Sequence, residues 1–265
     1  VAWILHGILG SAANWRGFAR RMVERHPDWR VRCVDLRNHG DSHGALPPHD
    51  LEHCAQDLWA LGADCGERPQ VLIGHSFGGK VALTYAGQAL ALGATGPGGL
   101  AWVWVLDATP GPLPGDPRGD SEVVAVISAL VQIPQPLAQR EDVVTILRAQ
   151  GFSEGLARWM TTNLRRSADG YVWRFELPAV QEMIADYFRQ DLWPVLDHPG
   201  PHLHIDVVRA ARSERWRPAE LERFAALPAD GPVRLRLLPD SGHWVHVDNP
   251  EGLHALLDES LGARN

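Results

Sequence analysis

Val71-Leu72-Ile73-Gly74-His75-Ser76-Phe77-Gly78-Gly79-Lys80 carries the strongest structural signal in the chain. A short, fully apolar run reads as a buried strand, and it ends in the pattern G-x-S-x-G before a helical stretch expected over 79–92. A strand that reverses sharply into a helix forces unfavourable dihedrals on the central residue. Small residues two places to either side let the two segments pass closely, and the serine hydroxyl is held up at the helix N-terminus. A glycine-rich turn with an incidental serine is the bland alternative. The strand-turn-helix context, which the nucleophile elbow requires, weighs against it.

The same alternation extends in both directions. Upstream, 2–5 reads as a buried strand ended by His6-Gly7, with Trp15, Phe18, Met22 and Val23 following at helical spacing. A second strand over 31–36 runs into the turn-rich loop Arg37-Asn38-His39-Gly40-Asp41-Ser42. Leu51, Cys54, Ala55, Leu58 and Trp59 then mark one helix face, with Asp50 as its N-cap. Downstream, the strand 101–106 ends in Asp107. Short apolar strands alternating with amphipathic helices predict an α/β fold, a mostly parallel central sheet with helices on both faces and function at the carboxyl ends of the strands.

The regularity breaks at the proline-rich run Thr109-Pro110-Gly111-Pro112-Leu113-Pro114-Gly115. Helical segments are expected near 122–131, 142–150, 154–165 and 179–187, too poor in strands to continue the sheet. Strand and helix return over 204–208, 218–227 and 233–238, with a last helix after Pro250. The expected organisation is a core, 1–109, a helical cap inserted at 110–201, and the rest of the core, 202–265.

The composition permits this and excludes much else. With 265 residues, 45% hydrophobic and 22% charged, the chain can build the core of one large domain, so disorder is excluded. A net charge of −7 argues against nucleic acid as a partner. Cys33, Cys54 and Cys65 form neither a disulfide framework nor a zinc ligand set, which favours a reducing, cytoplasmic setting. No apolar run approaches the roughly 18–20 residues of a membrane span. The strand-like start at Val1, without an initiator Met, suggests that further residues precede it.

A serine hydroxyl needs a general base to take its proton and a carboxylate to fix the base's tautomer. For this elbow the chain order is Ser, acid, His. Ser241-Gly242-His243 follows the last strand and reaches the same sheet edge as Ser76, which makes His243 the expected base. His246, three residues on, is the runner-up. Two acids satisfy the order: Asp107, emerging from an apolar strand at the active edge, and Glu214, beyond the next strand and beside Ser213. The first is preferred. The oxyanion of a tetrahedral intermediate needs two amide donors. Phe77 N–H follows the nucleophile, and Ile8 N–H lies in the glycine-bearing loop His6-Gly7-Ile8-Leu9-Gly10-Ser11. His75, Trp173 and Trp244 are candidates for the pocket wall; of the eleven tryptophans, Trp159, Trp173 and Trp193 in the cap region included, most read as packing and a few as lining an apolar acyl pocket. Gly7 and Gly10 lack the third glycine and the acidic partner of a dinucleotide loop. His49, His53, His202 and His204 gather no ligand set. No cofactor or metal is therefore expected.

Taken together, His6-Gly7-x-x-Gly10-Ser11, Val34-Asp35-x-Arg37-Asn38-His39-Gly40-x-Ser42, Gly74-His75-Ser76-x-Gly78-Gly79-Lys80 and Gly242-His243-Trp244-Val245-His246 resemble the α/β-hydrolase esterases grouped around abhydrolase domain-containing protein 11 and its small bacterial relatives. The similarity extends to Trp173-Arg174-Phe175-x-x-Pro178 and Asp197-His198-Pro199 in the cap. It implies a capped α/β-hydrolase fold and a cofactor-free serine esterase acting on short- or medium-chain acyl esters or thioesters. It also implies an acid after the earlier strand, which favours Asp107. The proline-rich stretch after Asp107 and the glycine-rich segment 93–99 depart from the pattern, and both bear on cap shape. A carbon–carbon lyase or synthase of the menaquinone-pathway type and a noncatalytic small-ligand receptor are the alternatives that share this fold.

Overall fold

The computed structural model describes residues 1–113 and 122–262. The first half alternates as expected: β1 (Ala2–Leu5), a 3-10 turn at Ala12–Trp15, α1 (Arg16–Arg25), β2 (Val31–Val34), α2 (Leu51–Cys65), β3 (Val71–His75), α3 (Phe77–Ala91) and β4 (Trp102–Leu106). The chain then leaves the sheet for α4 (Glu122–Val131), α5 (Glu141–Ala149), α6 (Glu154–Thr161), the ribbon β5 (Leu164–Arg166) and β6 (Tyr171–Trp173), α7 (Leu177–Arg189) and α8 (Trp193–Asp197). It returns through β7 (His204–Ala210), α9 (Pro218–Ala225), β8 (Val233–Leu238), α10 (Val245–Asp248) and α11 (Pro250–Gly262).

Six strands pair in the order β2-β1-β3-β4-β7-β8, every pair parallel. Side chains alternate across the sheet because the strand period is two. Trp3, Leu5, Leu72, Val103 and Val105 join the larger core with α2 and α3, whereas Ala2, Ile4, Ile73, Trp104 and Leu106 join a second core with α1 and α11. Both faces are thus sealed by helices, which accounts for the central strands β1, β3 and β4 being apolar at nearly every position. Asp50 caps α2 as expected, accepting from His53 N at 2.8 Å.

Buried charged groups, Asp206 and Lys80 among them, brace this frame. Asp206 of β7 is fully buried and accepts from Trp102 Nε1 (2.6 Å), Arg234 (3.0 Å) and Arg236 (2.8 Å), tying β4, β7 and β8 together. Lys80 of α3, equally buried, donates to the carbonyls of Gly111, Tyr187 and Gln190 at 2.8–2.9 Å, which fastens the elbow helix to the end of α7. Burial pushes its ammonium down to about 8.

Several boundaries differ from the sequence expectation. The second strand stops at Val34, where the pairing with β1 ends at Leu5. Beyond it Asp35 turns its carboxylate to Ala12 N (2.7 Å) and Asp41 N (3.1 Å). The helix expected over 154–165 ends at Thr161. Asn163 N folds back on Met160 O, Ser167 N bonds Gly170 O across a tight turn, and 164–166 pairs antiparallel with 171–173 instead. The short helices α8 and α10 lie outside the helical segments expected from the sequence. Of the proline-rich run, Pro114 and Gly115 lie outside the described residues.

Candidate active site

Ser76 stands at the apex between β3 and α3 with φ +53° and ψ −117°, a conformation that an L-residue adopts only when its surroundings impose it. Its amide donates to Leu106 O at 2.9 Å, locking the turn to β4. A Cβ on Gly74 would overlap the Gly78 carbonyl, and one on Gly78 would come within 2.5 Å of His6 O. Both flanking glycines of the elbow are therefore steric requirements. Phe77 opens α3, so its amide is one of the N-terminal donors without an intrahelical acceptor.

Asp107 follows β4, also at positive φ (+48°), and is fully buried. Oδ1 accepts from Ala210 N (3.2 Å) and Trp216 Nε1 (2.9 Å); Oδ2 accepts from Ser213 Oγ (2.8 Å) and His243 Nδ1 (2.8 Å). Burial alone would raise this carboxyl, but the bonds from His243, Trp216 and Ser213 outweigh it and hold the group below its ordinary range.

His243 sits in the loop after β8. Ser241 Oγ donates to Leu238 O (2.8 Å), Gly242 N donates to Asp248 (2.6 Å), and His75 Nε2 donates to the His243 carbonyl (2.7 Å). Main chain and ring are thus both held. Burial lowers the imidazole below its ordinary value, aided by the charge of Arg215 and opposed by the bond to Asp107.

Glu214, the alternative acid, is exposed, and among the described residues it bonds neither His243 nor Asp107. Its neighbour Ser213 donates to the carboxylate that does. His246, the runner-up base, stacks on Trp15 with centroids 3.9 Å apart. Burial and the proximity of His243 push it down to about 4.

Ser76 and His243 open onto one cavity of about 510 Å³, inside the roughly 300–1,000 Å³ typical of small-molecule sites. Ile8 and Phe77 line its floor, and Val126 of α4, Leu156 and Trp159 of α6 and Ile184 and Tyr187 of α7 form apolar walls. His75 and Trp244 line it, and Trp244 packs on Trp159 at 4.5 Å. Trp173 does not. It is buried in the larger core, stacked on Phe175 at 5.3 Å, because the β5–β6 ribbon turns it away from the cavity. Trp159 lines the wall instead. Ser213 and Trp216, which help to hold Asp107, have no place among the expected site residues; the serine standing where a later acid is common is the one signal for them in the sequence.

Residues 4–256 match the alpha/beta hydrolase family. The chain is 31% identical to the sn-1-specific diacylglycerol lipase ABHD11 of Mus musculus over 255 residues, spanning 93% of this chain and 76% of the lipase. It is 27% identical to esterase YbfF of Escherichia coli (strain K12) over 261 residues, spanning 94% of this chain and 88% of YbfF. A marine microorganism esterase shares the fold with a TM-score of 0.78 at 23% identity, covering 97% of this chain and 94% of that one. By sequence and by architecture, the chain belongs to the alpha/beta hydrolase family.

Proposed function

We propose that the protein is a serine ester hydrolase that cleaves short- to medium-chain acyl esters or thioesters through an acyl-enzyme on Ser76. The observation that carries this reading is the 2.8 Å bond from His243 Nδ1 to the buried Asp107 carboxylate, with His243 and the strained Ser76 lining the same apolar cavity. A ring that donates from Nδ1 leaves Nε2 free to accept a proton. Ser76 Oγ attacks the acyl carbonyl carbon while Nε2 takes the hydroxyl proton, and Asp107 stabilises the imidazolium that results. The amides of Ile8 and Phe77 receive the oxyanion. Collapse of the tetrahedral intermediate breaks the bond to the alcohol or thiol, which leaves with the proton from Nε2. Water then repeats the sequence on the acyl-enzyme and regenerates Ser76.

In this reading 110–201 acts as a cap, since α4, α6 and α7 supply most of the apolar wall. No helix among the described residues is long and apolar enough to cross a membrane, and the three free cysteines suit a cytoplasmic setting. The test is a series of p-nitrophenyl esters from acetate to palmitate on wild type and Ser76→Ala. Turnover that peaks at short or medium chains and vanishes with Ser76 supports the reading. Turnover that survives Ser76→Ala contradicts it.

A further inference from the structure

The loop Arg37-Asn38-His39-Gly40, prominent in the sequence, touches no part of the proposed chemistry directly, yet it is joined to the oxyanion loop by two buried imidazoles. His6, in the loop after β1, accepts from Leu36 N at 3.0 Å through Nε2 and donates from Nδ1 to Gly7 O at 2.7 Å. His39, in the loop after β2, accepts from Leu9 N at 3.2 Å through Nε2 and donates from Nδ1 to Arg37 O at 2.9 Å. Each ring thus bonds its own loop with one nitrogen and the opposite loop with the other. The rings lie 5.1 Å apart, and both residues are at most 1% exposed.

This arrangement sets the direction of one amide. In a trans peptide the carbonyl and the following N–H point opposite ways. Gly7 O is held by His6 Nδ1 and by Gly10 N at 3.0 Å, so the Ile8 N–H on the same peptide is aimed away from them. Ile8 lines the cavity beside Ser76. The next amide, Leu9 N, belongs to a residue at φ +63°, a strained conformation for leucine, and its bond to His39 holds it there. We propose that His6 and His39 are positioning residues for catalysis, a reciprocal pair of neutral Nδ1–H imidazoles that fixes the oxyanion loop and aims the Ile8 amide.

The proposal rests on the serine-hydrolase reading above. A second proton on either ring would set an N–H against the main-chain N–H that it now accepts. Burial opposes that proton, holding His6 at about 4 and, with the charge of His6 added, His39 at about 3. Asp35 acts on His39 in the opposite sense, while His43 acts in the same sense as His6.

Two measurements test it. Nitrogen-15 spectra of the histidine rings of wild type at pH 7 are expected to show both residues, assigned through His6→Gln and His39→Gln, as neutral Nδ1–H tautomers; an Nε2–H tautomer or an imidazolium at either position overturns the proposal. In p-nitrophenyl butyrate kinetics, His39→Leu removes the acceptor for Leu9 N and is expected to lower kcat by about 10- to 100-fold, the scale of a small misplacement at a reacting centre. KM should stay within about threefold, because the lost interaction acts in the transition state. His39→Gln, which can still accept at that position, should recover most of kcat. A folded His39→Leu with wild-type kcat, or a His39→Gln no better than His39→Leu, overturns the positioning role while Ser76→Ala remains inactive. Turnover retained by Ser76→Ala overturns the underlying mechanism and the role together.

Discussion

Replacing Asp107 by asparagine changes one atom of the site and leaves most of its bonds in place. Oδ1 still accepts from Ala210 N and Trp216 Nε1, and the Ser213 hydroxyl can turn to accept from the new amide nitrogen. His243 cannot adapt without cost. An N–H2 group in place of Oδ2, 2.8 Å from Nδ1, requires that nitrogen to become an acceptor, which moves the ring proton to Nε2. Nε2 is then unable to take the proton of Ser76. The same tautomer error in a serine-protease triad lowers kcat by about 10⁴, and at about 1.4 kcal/mol per decade the transition state loses about 5 kcal/mol. The assay is kcat/KM for p-nitrophenyl butyrate, with circular dichroism to show that the fold survives. Glu214→Gln, at an exposed position outside this network, should stay within about twofold of wild type. An Asp107→Asn enzyme within about tenfold of wild type, or a Glu214→Gln enzyme as impaired, would refute the reasoning.

Three further outcomes follow from the same contacts. His243 must be neutral to act as base, and burial with the Arg215 charge lowers it; kcat/KM should rise with pH to a plateau with its midpoint below the ordinary imidazole value of about 6.5. Arg215→Gln should move that midpoint upward, and a wild-type midpoint at or above that ordinary value would contradict the assignment. Gly74→Ala forces a Cβ into the Gly78 carbonyl, so thermal melting should show a loss of about 3 kcal/mol or more, or no folded protein; a near-native melting temperature would mean that the elbow is not packed as described. Asp206→Ala leaves the Trp102 indole without its acceptor and takes one of two carboxylates from Arg234 and Arg236, which keep Glu259, so urea unfolding should show a cost of about 1–3 kcal/mol, against under about 0.5 if the network is dispensable.

What the sequence disclosed is what short-range physics determines. The elbow is legible because Gly74 and Gly78 are fixed by contacts within a few residues and against the neighbouring strand. Asp107 and His243 stand out because the first directly follows β4 and the second lies in the loop after β8, and the carboxyl ends of parallel strands meet on one edge. The segment 122–201 is a different case. Helix propensity continues past Thr161, but Leu164–Arg166 pairs with Tyr171–Trp173, and that pairing carries Trp173 into the core and leaves Trp159 on the cavity wall. The choice depends on contacts between segments that no periodicity encodes. The buried histidines follow the same rule: His6 and His39 are 33 positions apart by number and meet only because β1 and β2 are neighbours. Glu214 shows the opposite failure. It is well placed along the chain, yet its side chain is exposed while Ser213, one residue earlier, points to Asp107.

The central claim is a covalent acyl intermediate on Ser76. Rapid mixing of wild-type protein with p-nitrophenyl butyrate, acid quenching and peptide mass spectrometry measure it directly. A butyryl group on the peptide that contains Ser76, formed with one equivalent of released p-nitrophenol and absent in Ser76→Ala, is the predicted result. Steady turnover of the ester with Ser76 unmodified at every quench time, or acylation that maps to another residue, would contradict it.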